Sequence, residues 1–225
     1  MMTLPINLAI RGKCVVVVGG GNVAARKVAL LQECGAVITV VSPEFTPALA
    51  GMEGICRVCR CYQRTDLDGC SLVISATNVE NVNRQVWEDA TAAGLLINVV
   101  DSPEHCTVAF PAVIRRGDLT VAISTGGASP ALAAQVRRML EDVLGEEYGH
   151  HLGLLAEMRL AVKASGLTGP ERALLLRRMA EPGIRDLMMQ QGVDTARTLL
   201  QTMFEQALSP ETRDERAGPE PRESC

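Results

Sequence analysis

Apolar residues in the first hundred positions occur in two kinds of segment, short unbroken runs and longer stretches with helical periodicity. The unbroken runs predict strands buried on both faces at 13–18, 36–41, 55–62, 72–77 and 95–100. The periodic stretches predict helices at 22–34 and 80–93 and a short helical turn at 46–51. Strands and helices that alternate in this way predict a parallel, doubly wound sheet of the α/β class.

The alternation then gives way to a different pattern. Two β-rich segments, 107–114 and 119–124, flank a turn-like sequence at 115–118 and predict a hairpin. Ser129 and Pro130 suit the N-cap and the first turn of the helix that follows. The remaining pattern predicts helices at 131–144, 146–164, 170–180, 182–191 and 194–208.

Composition limits the classes of function. The chain has 225 residues, a length sufficient for one large or two small domains. Its hydrophobic fraction of 47% is typical of a globular protein. A net charge of −4 argues against a general nucleic-acid binder. No apolar run reaches the ~20 residues that span a bilayer, and the N-terminus does not resemble a signal peptide. We therefore expect a cytoplasmic protein without a membrane partner, and the charged, proline-rich residues 209–225 predict a disordered tail.

Eight cysteines are present, and in a cytosolic α/β protein they are expected to be reduced thiols. Cys56, Cys59 and Cys61 invite comparison with a metal site, but structural zinc commonly takes four ligands from paired turns. These three lie in a predicted strand, with Cys59 and Cys61 on one face and Cys56 on the other. We expect buried or edge thiols, and metal binding is the alternative.

Three glycines follow the first predicted strand and precede the first predicted helix. Gly19, Gly21 and Ala24 match the dinucleotide fingerprint G-x-G-x-x-A. In that geometry a pyrophosphate binds free N–H groups at the helix N-terminus, and glycine lets the backbone approach the ligand closely. The alternative is a glycine-rich turn without a ligand.

The second predicted strand lacks the acid that usually binds the ribose hydroxyls about 20 residues after the fingerprint. It ends instead at Ser42 and Pro43, and Glu44 follows. Glu44 is expected to reach the ribose, and Ser42 to do so more weakly. The alternative for Glu44 is a solvated loop carboxylate. No arginine directly follows the strand to bind a 2′-phosphate, which favours NAD over NADP.

The end of the fourth predicted strand offers a further contact. Ligands of open α/β sheets bind beyond the carboxyl ends of the strands. Thr77 and Asn78 are therefore expected to line the cofactor cleft, and this role is compatible with capping the next helix.

Five motifs together resemble the precorrin-2 dehydrogenases, a module also found at the N-terminus of siroheme synthases. They are GGGNVAARK at 19–27, ATN at 76–78, NVVDSP at 98–103, FPAVI at 110–114 and STGGASP at 124–130. They occur in the family's order, between about residue 4 and residue 140. The chain departs from siroheme synthases because it does not continue into their methyltransferase domain, so methylation of uroporphyrinogen is not expected.

The resemblance implies an oxidoreductase of siroheme biosynthesis that converts precorrin-2 to sirohydrochlorin with NAD as the hydride acceptor. Some family members also insert ferrous iron, and this bifunctional alternative stays open. The implied architecture is a Rossmann domain (1–113), a small β-containing dimerisation region (114–146) and a helical C-terminal domain (147–208). The implied active site lies in a cleft that a homodimer completes. An alternative of another class is a non-catalytic NAD-sensing module.

The resemblance also points to individual residues. The family's nucleotide contacts fall on Asn22, Val23, Pro43 and Glu44. Its key acidic residue falls on Asp101, which follows the fifth predicted strand and is the candidate general base. The alternative is that Asp101 caps a turn before Pro103, and His105 is the rival base.

Precorrin-2 carries several carboxylates, so its site must supply positive charge. The candidates are Arg115 and Arg116 in the predicted turn, and Arg137 and Arg138 on the helix after Ser129. The start of that helix could bind a further carboxylate, and a serine phosphorylated in some family members falls on Ser129. The alternatives are solvated surface arginines and a plain helix start.

Overall fold

A five-stranded parallel sheet forms the first of two units, Met1–Phe110, in a computed structural model that describes residues 4–209. Its strands are β1 (Cys14–Val18), β2 (Val37–Ser42), β3 (Cys56–Cys59), β4 (Leu72–Ser75) and β5 (Leu96–Val99). They lie in the order β3-β2-β1-β4-β5, so β1 is central. The four valines at 15–18 are at most 2% exposed, as expected for a strand covered on both faces.

Helices cover both faces of this sheet. They are α1 (Asn22–Glu33), the short α2 (Pro47–Ala50) and α3 (Glu80–Ala92). On one face, Ala24 and Val28 of α1 pack in a buried cluster with alternate residues of β1. On the other, Val86 and Ala90 of α3 pack with the remaining valines of that strand. The predicted α/β class and the predicted parallel sheet are confirmed.

Two predicted strands, 55–62 and 107–114, differ from the observed strands by three or more residues at one end. β3 ends at Cys59 because the N–H of Arg60 turns back to the carbonyl of Val58, at 3.1 Å. The segment at 107–110 does not form a regular strand. Its apolar side chains pack on the sheet, and Thr107 and Val108 donate backbone hydrogen bonds to the carbonyl of Ile97 instead of a ladder partner.

The second unit, Pro111–Cys225, consists of one hairpin and five helices in its described part, 111–209. Its elements are β6 (Ala112–Arg116), β7 (Leu119–Ile123), α4 (Pro130–Val143), α5 (Glu147–Ala164), α6 (Gly169–Met179), α7 (Pro182–Gln191) and α8 (Val193–Leu208). The strands β6 and β7 are antiparallel. The predicted hairpin and helices are therefore present, but Arg115 and Arg116 belong to β6, and the turn is made by Gly117 and Asp118.

The helices α5 to α8 share one buried cluster, to which Leu154, Met179 and Leu200 contribute. α4 differs because Ala133 is its only buried residue, while Leu132, Met139 and Val143 are 50%, 61% and 64% exposed. Within residues 4–209, none of the helices has both the length and the apolar character needed to cross a membrane.

The boundary between the units lies between Phe110 and Pro111, three residues before the expected end of the Rossmann domain. The hairpin, α4 and the later helices fall in one unit, where the sequence suggested two regions. The predicted disordered tail, apart from Ser209, lies outside the described residues.

Candidate functional site

The glycine loop between β1 and α1 is tightly constrained on one side and open on the other. A Cβ on Gly19 would lie 2.3 Å from the carbonyl oxygen of Ala76, and Gly19 has a positive φ of 124°. A Cβ on Gly20 would lie 1.8 Å from the carbonyl oxygen of Glu44. A Cβ on Gly21 would meet nothing within 4 Å. Glycine is therefore required for packing at the first two positions, and the third leaves space beside the helix.

That space lies at the N-terminus of α1. Gly21 is the N-cap and makes no side-chain capping hydrogen bond, so the first N–H groups, those of Asn22 and Val23, have no capping acceptor. These groups and the helix dipole favour an anion. The residues present thus fit the pyrophosphate of a dinucleotide, as the fingerprint predicts.

The segment after β2 is fixed against the glycine loop. The backbone N–H of Thr46 donates to the carbonyl of Gly20 at 2.9 Å. Ser42 is only 8% exposed, and its hydroxyl would lie 2.7 Å from a Cβ on Gly20. The Thr46 hydroxyl is buried without a hydrogen-bond partner in the described part of the chain. The loop therefore has a defined position, and it carries an unsatisfied polar atom beside the candidate site.

Within this loop, Pro43 and Glu44 are exposed. The side chain of Ser42 points towards the glycine loop, whereas Glu44 touches that loop with its backbone carbonyl. Glu44 is thus the first exposed carboxylate after β2 and fits the ribose hydroxyls better than the buried Ser42 does.

Thr77 belongs to a hydrogen-bonded network at the end of β4. Its hydroxyl donates to Oδ1 of Asn83 at 2.8 Å, and so does the hydroxyl of Ser75. The Asn83 amide donates to the carbonyl of Thr77 at 3.0 Å. The hydroxyl also accepts from the N–H of Val79, so Thr77 shapes the turn into α3. Asn83 lies inside a helix, where no sequence signal marked it.

Asp101 follows β5 and is exposed. It is the one non-glycine residue with a positive φ, 60°, among residues 4–209, a conformation that asparagine and aspartate tolerate best. The 3₁₀ turn Pro103–His105 has Ser102 as its N-cap and no side-chain capping hydrogen bond. Because β5, β4 and β1 are parallel, Asp101 lies at the same sheet edge as the glycine loop.

Cys106 holds the loop that carries Asp101. Its thiol lies 3.2 Å from the carbonyl oxygens of Val99 and Ser102, and it accepts a hydrogen bond from the Val99 N–H. Burial raises the pKa of this thiol, so it stays neutral and keeps its donor. Sequence reasoning assigned Cys106 no role.

His105, the rival base, is packed against α3. Its ring centroid lies 4.4 Å from that of Trp87, and its Nδ1 lies 3.6 Å from a Glu104 carboxylate oxygen. These contacts hold the imidazole against the helix.

Lys27, the last residue of the GGGNVAARK motif, is a further cation, and the sequence analysis assigned it no role. Its Nζ lies 3.9 Å from the centroid of the Phe110 ring. Burial, and secondarily the charge of Arg26, lower the pKa of Lys27. The ammonium thus anchors the last residue of the first unit to α1.

The three cysteines near β3 are all exposed, and Cys61 lies beyond the end of the strand. The expectation that Cys59 and Cys61 share a strand face is therefore wrong. The thiol of Cys59 lies 3.1 Å from the carbonyl of Pro43, against the loop after β2. Across residues 4–209, no group of three or more His, Cys, Asp or Glu side chains could hold a metal ion.

In the second unit, Ser129 is the N-cap of α4, as predicted, and its hydroxyl accepts from the N–H of Leu132 at 3.2 Å. The Thr125 hydroxyl contacts the backbone N–H and carbonyl of Ser129, both at 3.1 Å. The STGGASP motif is thus a structured helix start.

The candidate arginines differ in their surroundings. Arg116 is largely buried, with its Nε donating to the carbonyl of Leu144 at 2.7 Å, so it fixes the end of α4. Arg137 pairs with Glu141 one turn along the same helix. Arg115 is exposed on β6. The structure therefore engages Arg116 in anchoring and leaves Arg115 and Arg137 at the surface or half-buried.

The sheet and the glycine loop define a Rossmann-type NAD(P)-binding protein, and family models agree. The family described as NAD(P)-binding matches residues 6–112. The family described as sirohaem biosynthesis protein central matches residues 116–142.

Individual relatives narrow the class. Siroheme synthase of Methylobacillus flagellatus is 40% identical over 207 residues, 91% of this chain and 44% of that protein. Siroheme synthase of Pseudomonas fluorescens is 39% identical over 203 residues, 89% of this chain and 44% of that protein. The solved structure of SirC, precorrin-2 dehydrogenase, matches with a TM-score of 0.77 and 26% identity, over 90% of this chain and 100% of that one.

The chain spans less than half the length of these curated siroheme synthases. Over most of its length it is similar to the siroheme synthases and to SirC, precorrin-2 dehydrogenase.

Proposed function

We propose that this protein oxidises precorrin-2 to sirohydrochlorin and transfers the hydride to NAD. The observation that carries the proposal is the gathering of the candidate groups at one sheet edge. The glycine loop, the 42–44 loop, Thr77 and Asp101 follow β1, β2, β4 and β5, whose carboxyl ends lie side by side. The likeness to SirC, precorrin-2 dehydrogenase, supports the choice of substrate.

In this proposal the N–H groups of Asn22 and Val23 bind the pyrophosphate, and Glu44 accepts hydrogen bonds from the ribose hydroxyls. Thr77 and Pro43 line the same edge. We assign NAD rather than NADP because no arginine follows Ser42 directly. The NAD(P)-binding family match supports a nicotinamide cofactor of either kind.

Asp101 is proposed as the general base. The oxidation removes a hydride and a proton from the macrocycle, and NAD supplies the hydride acceptor. The exposed Asp101 carboxylate accepts the proton. The Cys106 thiol contacts the Val99 and Ser102 carbonyls, so it holds the backbone on both sides of Asp101, whose φ is positive.

Ser129, Arg115 and Arg137 are proposed to bind substrate carboxylates, while Arg116 anchors α4.

We also propose a homodimer, since Leu132, Met139 and Val143 expose an apolar stripe on α4. Light scattering tests this: Met139→Glu should yield monomers, and a monomeric parent protein would contradict the proposal. We also propose that the protein is cytoplasmic, and the net charge of −4 supports a small-molecule substrate rather than a nucleic acid.

The test is an anaerobic incubation with precorrin-2 and NAD, following NADH and the sirohydrochlorin spectrum. The parent protein should form both products in equal amounts. Asp101→Asn should lower the rate at least about a hundredfold, the size of a general-base contribution. Glu104→Gln, which removes the other carboxylate of this loop, is the matched control and should retain activity. NAD binding without any NADH formation would instead favour a sensor module.

A second activity, insertion of ferrous iron into sirohydrochlorin, is favoured by the likeness to siroheme synthases. Adding ferrous or cobaltous ion to the same reaction tests it. Metal insertion no faster than in the enzyme-free control would remove this activity from the proposal.

A further inference from the structure

A buried carboxylate holds the first cation after β3. Arg60 makes a two-pronged contact with Asp66, Nη1 to Oδ2 at 2.9 Å and Nη2 to Oδ1 at 2.5 Å. The Asp66 side chain is 8% exposed, against 39% for Arg60. Two parallel hydrogen bonds fix the plane of the guanidinium as well as its position.

Asp66 is itself held by its surroundings. It accepts a hydrogen bond from the backbone N–H of Gln63 at 2.8 Å, as part of a capping box of the 3₁₀ turn Arg64–Leu67. The hydrogen bonds from Arg60 lower the pKa of Asp66, so the pair stays ionised at neutral pH. The carboxylate thus has a fixed position and a permanent charge.

Arg60 lies beside the loop proposed to hold the ribose. Ser42 of β2 pairs with Cys59 of β3, and the Cys59 thiol contacts the Pro43 carbonyl at 3.1 Å. Neighbouring strands are about 4.8 Å apart, a spacing that an arginine side chain can cross. A released Arg60 would therefore be the first cation after β3 that could reach a group at the ribose 2′ position.

We propose that Asp66 is a specificity-determining residue, which holds Arg60 away from the ribose 2′ position and thereby favours NAD over NADP. This inference rests on the proposed nucleotide site. Arginine matches phosphate geometry with paired donors, so an unrestrained Arg60 would bind the 2′-phosphate of NADP. Asp66 occupies those same donors and neutralises their charge.

The test measures the dissociation constants of NAD and NADP by calorimetry, without tetrapyrrole. Asp66→Asn keeps the size of the side chain and removes its charge. The ratio of the NADP constant to the NAD constant should fall by about tenfold, the effect of one charge-assisted hydrogen bond. Asp68→Asn removes an exposed carboxylate two residues away and should leave the ratio within twofold of the parent. The double variant Asp66→Asn, Arg60→Met should restore the parent ratio.

A folded Asp66→Asn protein with the parent ratio would overturn the inference. Arg60→Met alone provides a second test that does not depend on that variant. It should leave both constants within twofold, because the tethered Arg60 contacts neither nucleotide, and a loss of affinity for either one would also overturn it. A parent protein that binds NAD but forms no sirohydrochlorin would refute the proposed activity while leaving this comparison intact. A parent that binds neither nucleotide would refute both.

Discussion

Gly20 offers the sharpest perturbation of the glycine loop. Its φ is not in the left-handed region, so replacement by alanine acts through space rather than through backbone strain. The added methyl carbon would lie 1.8 Å from the Glu44 carbonyl oxygen and 2.7 Å from the Ser42 hydroxyl. Because ordinary contacts begin near 3.4 Å, the 42–46 segment must retreat by about 1.5 Å.

The magnitude follows from two losses. Overpacking a close-fitting site costs about 1–3 kcal/mol. The hydrogen bond from the Thr46 N–H to the Gly20 carbonyl, 2.9 Å in the parent, contributes about 1 kcal/mol more. We expect Gly20→Ala to lower the free energy of unfolding of the first unit by about 2–4 kcal/mol. For a unit of this size that corresponds to a fall in Tm of ~8–15 °C.

Gly21→Ala is the matched control, because its Cβ would meet nothing within 4 Å. Its Tm should stay close to that of the parent protein, whereas its affinity for NAD should fall, since the methyl group enters the space proposed for the pyrophosphate. Thermal unfolding by circular dichroism and NAD binding by calorimetry separate the two effects. A Gly20→Ala protein that melts with the parent would refute the close contact. Undiminished NAD affinity in Gly21→Ala would refute the location of the pyrophosphate.

Three further predictions concern other contacts. The Cys59 thiol touches the Pro43 carbonyl, so saturating NAD should slow alkylation of Cys59 at least about fivefold and leave alkylation of Cys56 unchanged. Peptide mass spectra measure both rates, and equal protection of the two thiols would contradict the placement of the ribose at this loop. Because the pKa of Asp66 is lowered, its ionised carboxylate stabilises the folded state at pH values above the ordinary aspartate pKa near 4. This contribution disappears as the pH falls through the lowered pKa. The stability difference between the parent and Asp66→Asn should therefore shrink in urea titrations from pH 6 towards pH 3, and a constant difference would contradict it. Arg116→Met should lower the free energy of unfolding by about 1–3 kcal/mol, because it leaves the Leu144 carbonyl unpaired. Replacement of the exposed Arg138 by methionine should have little effect on Tm, and an equal loss of stability in both variants would refute the anchoring role of Arg116.

The sequence predicted the sheet and the helices well, because their signals are local. Valine runs marked the buried strands, and Ser129 with Pro130 marked the start of α4. The prediction was weaker where tertiary contacts determine the conformation of a segment. The segment at 107–110 has the apolar composition of a strand, yet it packs on the first core cluster and bonds to one carbonyl of β5.

In the candidate site too, residues with a local sequence signal were predicted, and residues that act through tertiary contacts were not. The fingerprint marked Gly19 and Gly21 because their spacing is a property of the chain. Asn83 and Cys106 had no such signal, since each acts through hydrogen bonds to segments several residues away. The ion pair between Arg60 and Asp66 was likewise not predicted, because two charged residues six positions apart outside a regular helix or strand form no periodic sequence pattern.

The missing acid at the end of β2 now has a physical explanation. The usual position of that acid falls on Ser42, which is 8% exposed and lies against Gly20. A carboxylate there would be desolvated at the place where the backbone already crowds the loop, a costly arrangement without a paired cation. The contact between Gly20 and the Glu44 carbonyl also fixes the backbone of Glu44 while its carboxylate stays in solvent. The close packing that excludes an acid at residue 42 is therefore what positions the acid at residue 44.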